Sequence, residues 1–417
     1  MSAASGTGRT FTPMGVVVAG TLGNCVSVTP AVHAVFGLFL IPISEEFGWP
    51  RAYVSGVLAV LSIVTALCYP IIGPLADRFG ARPLILIGNL TFAAALALLT
   101  TANGSLLQFY LFFALIAVAS SLPSSMIFAK LVTGWFDQQR GTMLGIVGGV
   151  GNGVGAAVLP VIAAMLLAAY SWREAYLGIA LIIAMVFPVL WRYIGDPPAA
   201  AKMADGSTIA ITGLGLGEAC RTPIFWMILT AIALGAGCMT AMFAHVVPVL
   251  AEHGVSTGIG TAVVSTFALV TAAWQVVLGR LLDRSRGPLI AVPFYFIPVV
   301  GLLMVERTTS LPLLLLAGAL MGIGLGTQYG TLAYLVSRYF GLKAFGAICG
   351  LMYSVVMLAQ GLTPPLMDVV FDEVGSYALA LLAMEGTLVL GTILLALLPR
   401  YPLMAPVPAG PAVVALH

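Results

Sequence analysis

The sequence predicts an all-α membrane protein: twelve transmembrane helices in two six-helix bundles. Three observations predict it. The 417-residue chain is 60% hydrophobic and 8% charged, with a mean hydropathy of +1.09. No water-soluble core could enclose that much apolar surface, so lipid must solvate most of it. Cutting the apolar stretches at charged residues and Pro/Gly breaks leaves twelve segments long enough to cross a bilayer. Finally, a charged turn recurs. Gly73-Pro-Leu-Ala-Asp77-Arg78-Phe-Gly80-Ala-Arg82 returns as Gly279-Arg-Leu-Leu-Asp283-Arg284-Ser-Arg286-Gly287, the two aspartates 206 positions apart. Such a repeat between apolar spans implies two similar halves rocking about a central site.

The spans follow in order. Residues 1–13 are polar and read as an N-terminal tail; the apolar run after them is too long for a signal-peptide core, so no cleavable signal is expected. The first bundle, 14–195, holds spans at 14–40, 53–73, 83–102, 107–134, 141–167 and 174–194, separated by Ser44 to Arg51, the Asp77 hairpin, Thr101 to Ser105, Trp135 to Arg140 and Ser171 to Arg173. Residues 196–222, opening Asp196-Pro-Pro, form the longest polar interruption and read as a linker. The second bundle, 223–399, holds spans at 224–250, 261–282, 289–304, 311–337, 345–371 and 376–398, with a Pro-rich tail at 400–417. Glycine crowds the fifth span (Gly141, Gly145, Gly148, Gly149, Gly151, Gly153, Gly155) and the tenth (Gly318, Gly322, Gly324, Gly326, Gly330), spacings that bring helix backbones together.

Basic residues orient the chain. With a cytoplasmic N-terminus, all of the 17 Lys and Arg except Arg51, Arg173 and Arg307 fall on the inner side. Trp49, Trp135, Trp172, Trp191 and Trp226 lie at span ends, where an amphipathic ring prefers the headgroup layer. The expectation is a multi-pass protein of the inner (plasma) membrane with both termini cytoplasmic. Its net charge of +2 records topology, not nucleic-acid binding.

Several stretches resemble a known family. Phe36-Gly37-Leu-Phe-Leu-Ile-Pro42-Ile-Ser44-Glu45-Glu46-Phe47-Gly48-Trp49-Pro50-Arg51-Ala52 resembles the first span and outer loop of bacterial major facilitator proteins of the monocarboxylate-porter and oxalate/formate-antiporter type. The Asp77 hairpin resembles that superfamily's signature between spans two and three. Trp135-Phe136-Asp137-Gln-Gln-Arg140-Gly141, Ser171-Trp172-Arg173-Glu174-Ala175-Tyr176, His245-Val-Val-Pro248-Val-Leu-Ala-Glu252-His-Gly254 and Gly375-Ser376-Tyr377 match as well. The likeness covers about 14–398. It implies alternating access, with the counterpart of Asp77 locking a cytoplasmic gate, so Arg78, Arg82 and Arg140 are its possible partners and Asp283 with Arg284 forms the weaker second copy. One departure bears on substrate. Relatives that carry small carboxylates often have an arginine in span eight where this chain has Gln275, beside Trp274, and the antiporter's span-eleven lysine has only Val355 and Val356 in its place. A small dianion such as oxalate is therefore not expected, and a bulkier acid is.

Ionisable groups inside hydrocarbon are costly and so are default functional candidates. Five occur: His33, Lys130, His245, Asp368 and Glu385. His33, three residues after Pro30, suits a proton site or a donor to a carboxylate, or else is a neutral core histidine. His245 reads as an outer-gate residue or an interhelical bond. Lys130 lies five residues before Trp135, about 7.5 Å along a helix; it either snorkels to the headgroups or faces the cavity and pairs a carboxylate. Asp368 is shallow, and Glu385 reads as structural or oligomeric. Asn152, Trp274, Gln275, Gln328, Tyr329 and Tyr353 complete the candidates for substrate or proton binding, suggesting an aromatic, weakly polar cavity.

No Ser-His-Asp set, HExxH, paired carboxylates, ATP-binding loop, disulfide framework or metal spacing is present, so an enzyme is not expected, nor any cofactor or metal. The expected function is secondary transport of an organic acid, a mono- or aromatic carboxylate, with a co-transported proton, by a monomer in the lipid bilayer. Anion exchange or export of a metabolite or drug would use the same cycle, and a non-transporting membrane receptor is the lesser alternative.

Overall fold

In hydrocarbon a backbone must satisfy its own polar groups, and an unbroken apolar run does so as a helix. The structure, a computed structural model, describes residues 11–197, 212–285 and 287–401. Most of the expected linker, both outer parts of the tails and Arg286 lie outside the described residues. Among the described residues, twelve segments are helical, long and apolar enough to cross a membrane: α1 Pro13–Phe47, α2 Arg51–Phe79, α3 Ala81–Thr101, α4 Leu106–Trp135, α5 Arg140–Ala169, α6 Trp172–Tyr193, α7 Pro223–Glu252, α8 Thr257–Arg284, α9 Pro288–Arg307, α10 Leu311–Tyr339, α11 Phe345–Val374 and α12 Ala378–Ala396. Local chemistry sets the ends. The Thr12 and Thr222 hydroxyls accept from Gly15 N and Phe225 N just ahead of a proline in the first turn. Helices outrun the apolar spans because a charged end can leave the bilayer without leaving the helix. Thus α2 continues through Asp77 and stops only at Gly80, whose φ of +85° turns the chain into α3.

Three spanning segments are interrupted, α4 by a break at 122–124 between Leu106–Ser121 and Ser125–Trp135. A break at Val26–Ser27 precedes a π-helical turn at Thr29–His33 in α1, and a second π turn occupies Gly145–Val150 in α5. Such turns free backbone groups and often mark functional sites.

Helices α1–α6 pack together, as do α7–α12, and the halves meet along two seams, α2 against α11 and α5 against α8. Three apolar clusters form the core. One draws on α1–α6 alone (Phe39, Phe109, Phe113, Tyr176) and one on α7–α12 alone (Met242, Phe267, Leu302, Met321). The third joins both halves, setting Ile72, Ala76 and Leu131 among Leu278, Leu282, Tyr334, Phe345 and Ile348. It lies at the end of the molecule carrying the two charged hairpins, here called the hairpin face. The halves therefore share a core at the hairpin face and have separate cores toward the far face.

Candidate functional site

The recurring aspartates do the same thing twice. Asp77, near the end of α2, accepts from Gly346 N and Ala347 N at 2.8 Å each, the first turn of α11 in the other half. Asp283, near the end of α8, accepts from Gly141 N at 2.7 Å and Thr142 N at 2.8 Å, the first turn of α5. Each half thus places a carboxylate on the positive end of a helix belonging to the other. The contact requires backbones to touch. A Cβ on Gly73 would come within 2.1 Å of the Gly346 carbonyl oxygen, and one on Gly279 within 2.1 Å of that of Gly141.

The two copies differ in their third partner. Lys130 of α4 pairs with Asp77, both side chains largely buried at 18% and 16% exposed. Asp283 instead accepts from the Thr142 hydroxyl at 2.7 Å. The arginines expected around Asp77 are elsewhere. Arg78 lies over the Phe79 ring. Arg82 donates to the Trp191 carbonyl and stacks on Phe11. Arg140 is buried, donating to Phe136 O, Asp137 and, across the seam, Ser337. Arg284 is exposed. Lys130, with two expected placements, has neither: it is spent on Asp77. One further bridge crosses the seam, from Arg338 to Asp137 at 3.4 Å.

Above this closed end, side chains enclosed by protein are nonetheless exposed, which marks the walls of a cleft. On α1 it is His33, with Gly37 and Ile41 exposed on the same helix face at a spacing of four. On α10 it is Tyr329, 41% exposed although α10 is surrounded by other helices. Gln360 of α11 donates to the Tyr329 hydroxyl at 2.9 Å and to Thr240 of α7 at 3.2 Å, joining three helices. In the opposite half Asn152 knits α1, α4 and α5: it accepts from Ser27 at 2.9 Å and donates to Ser125 at 3.2 Å and Gly148 O at 2.9 Å. This knot sits between the two π turns. The floor is the seams themselves, where Gln275 packs its backbone on Gly145 and its side chain on Gly149, and Tyr353 meets Tyr69 edge-on at 6.3 Å.

The other expected site residues are set back. Gln328 is fully enclosed beside Gly235. Trp274 is held against Phe294 and donates to Thr327 at 2.9 Å. His245 is buried near the far face, its Nδ1 on Ala241 O and its Nε2 2.8 Å from Asp368. Bonds at that face stay within one half: Arg173 and Trp172 on Glu46 in one, His245–Asp368 and Tyr377 N on Glu252 in the other. The cleft is closed at the hairpin face and open toward the far face. Sequence reading missed Thr240, Ser27 and Ser125; only a polar residue at helical spacing signals each, as it does many packing residues.

Three kinds of likeness bear on this arrangement. Residues 22–364 match the profile of the Major Facilitator Superfamily. The human protein named monocarboxylate transporter 11 is 28% identical over 395 residues, 87% of this chain and 78% of that one. Among solved structures, the E. coli fucose:proton symporter superposes with a TM-score of 0.69 at 15% identity, covering 92% of this chain and 98% of its own. The human organic anion transporter MFSD10 superposes with a TM-score of 0.69 at 18% identity, covering 92% and 99%.

Proposed function

The chain belongs to the Major Facilitator Superfamily, and from that premise we propose that it takes up organic carboxylic acids with a proton by alternating access. The observation that carries the reading is the paired aspartate caps. They join the halves only when the hairpin ends are together, so they form a gate that must break for the cleft to open on that side. The distribution of basic residues supports assigning the hairpin face to the cytoplasm, with both termini there and the protein in the inner membrane. The cleft then loads from outside. Asp77 with Lys130, and Asp283 with Thr142, act as the cytoplasmic gate; Arg140 and Arg338 brace it through Ser337 and Asp137. His33, Tyr329, Gln275, Tyr353 and Asn152 belong to or back the binding cleft, and the His245–Asp368 pair lies at its mouth. Carboxylate as the substrate class rests on the sequence resemblance and on the relative's name, and the protomer is proposed to act alone.

Coupling is tested by following radiolabelled acid into proteoliposomes with an imposed pH gradient, with and without a protonophore. Uptake should rise several-fold with the outside acidic and collapse with the protonophore; indifference to both would remove the proton from the reading.

A further inference from the structure

Where the chain keeps its cations limits what the cleft can hold. The sequence has 17 Lys and Arg residues. All but Lys130 lie within about one turn of a helix end or outside the spans. Lys130 is already engaged by Asp77 at the hairpin face. Among the described residues, neither wall of the cleft carries a lysine or an arginine.

Apart from the imidazole of His33, the named wall groups are uncharged, and their bonding is partly spent. The Gln360 amide nitrogen donates to Thr240 Oγ1 and Tyr329 Oη. The Tyr329 and Thr240 hydroxyls also bond each other, so a ligand is left the amide oxygen, an acceptor, beside one hydroxyl hydrogen, a donor. An ionised carboxylate has acceptors only, so it would set an oxygen against the amide oxygen. A protonated carboxyl, like a carboxamide, presents one donor next to one acceptor. Burying an anion without a cation also forfeits more hydration than neutral hydrogen bonds return.

We infer that the cleft recognises an uncharged head group that both donates and accepts, so that a carboxylic acid enters it with its own proton attached. This rests on the proposed transport of organic acids and says which form is carried. The titratable groups facing the site are His33 of α1, Tyr69 of α2, Tyr329 of α10 and Tyr353 of α11, with Cys349 next to Tyr353 and His245–Asp368 at the mouth. His33 is the rival to this assignment: as an imidazolium it would bind anions better at low pH.

The test uses three probes with one apolar body: phenylacetic acid, phenylacetamide and benzylsulfonate. Binding to the purified full-length protein is read as the shift in its thermal midpoint, titrated from pH 5 to 8. Phenylacetamide should bind with the same apparent affinity at every pH. Phenylacetic acid should weaken about tenfold per pH unit above its own pKa, and benzylsulfonate should not bind. Whatever it does to affinity, His33→Gln should leave benzylsulfonate unbound and the slope of the acid's pH dependence unchanged, whereas Gln360→Leu, with an unchanged ligand-free midpoint, should weaken amide and acid together by tenfold or more. Benzylsulfonate binding that strengthens as pH falls and vanishes in His33→Gln would overturn the inference and leave acid transport standing. Binding of the amide alone would uphold neutral recognition while ending the carboxylic-acid reading. Binding of none of the three would count against both.

Discussion

Asp77 serves three donors at once: two backbone N–H groups of the opposite half and the Lys130 ammonium of its own. Asparagine in its place keeps one acceptor and leaves the lysine unpaired. Stripping a partner from a buried ion pair costs about 3–5 kcal/mol, and the residual exposure here brings that to roughly 2 kcal/mol. A shift of that size against the gate-closed state is about thirtyfold in population. Asp77→Asn should therefore cut uptake at least tenfold at near-normal membrane abundance. Lys130→Gln, which spares both backbone caps, should cost less, and the double variant should be no worse than Asp77→Asn. Uptake by Asp77→Asn at the wild-type rate would remove the gate assignment. The aspartate is legible in the sequence because a carboxylate amid arginines recurs at the same place in each half, between apolar spans. Its true partner is not. Lys130 is 53 positions away on another helix, and its distance from Trp135 fits snorkelling equally well.

At the scale of elements, the same contrast holds. Span number and order follow from hydropathy alone, since lipid leaves a long apolar run no alternative to the helix. The π turns do not, because Pro30 and the glycines of α5 fit an ordinary kinked helix equally well. Nor does the use of particular glycines: Gly73, Gly141, Gly279 and Gly346 look like general small-residue packing until the seam is seen. Their role can be measured. In Gly73→Val the new side chain would meet the Gly346 carbonyl, so α2 and α11 must separate at the hairpin face. Cys349, fully buried one turn into α11, reports that separation. In a variant keeping Cys349 as its sole cysteine, Gly73→Val should raise the rate of maleimide labelling in detergent about tenfold or more. Labelling as slow as in the parent would mean that the glycine contact does not hold the seam.

For the whole molecule, one shared core at the hairpin face and two separate cores beyond it make the chain a pair of levers hinged along the α2–α11 and α5–α8 seams. Opening the hairpin face breaks a small, nameable set of polar contacts: four backbone caps, the Thr142 hydroxyl bond to Asp283, the Arg140–Ser337 bond and the contacts of Arg338 with the Asp137 side chain and carbonyl. Under the proposed alternating access, rocking would exchange the two states without unpacking either half. If transport needs that exchange, tethering the hairpin face must stop it. In a cysteine-free background, Asp137→Cys with Arg338→Cys places one thiol on each side of the seam, where the native side chains meet at 3.4 Å. A short, reducible bis-thiosulfonate should link them and abolish net uptake, and a reductant should restore it. The tether should leave ligand binding within about threefold of the untethered protein, because the cleft stays open to the far face. Uptake that continued through a completed cross-link would show that this end never parts during the cycle.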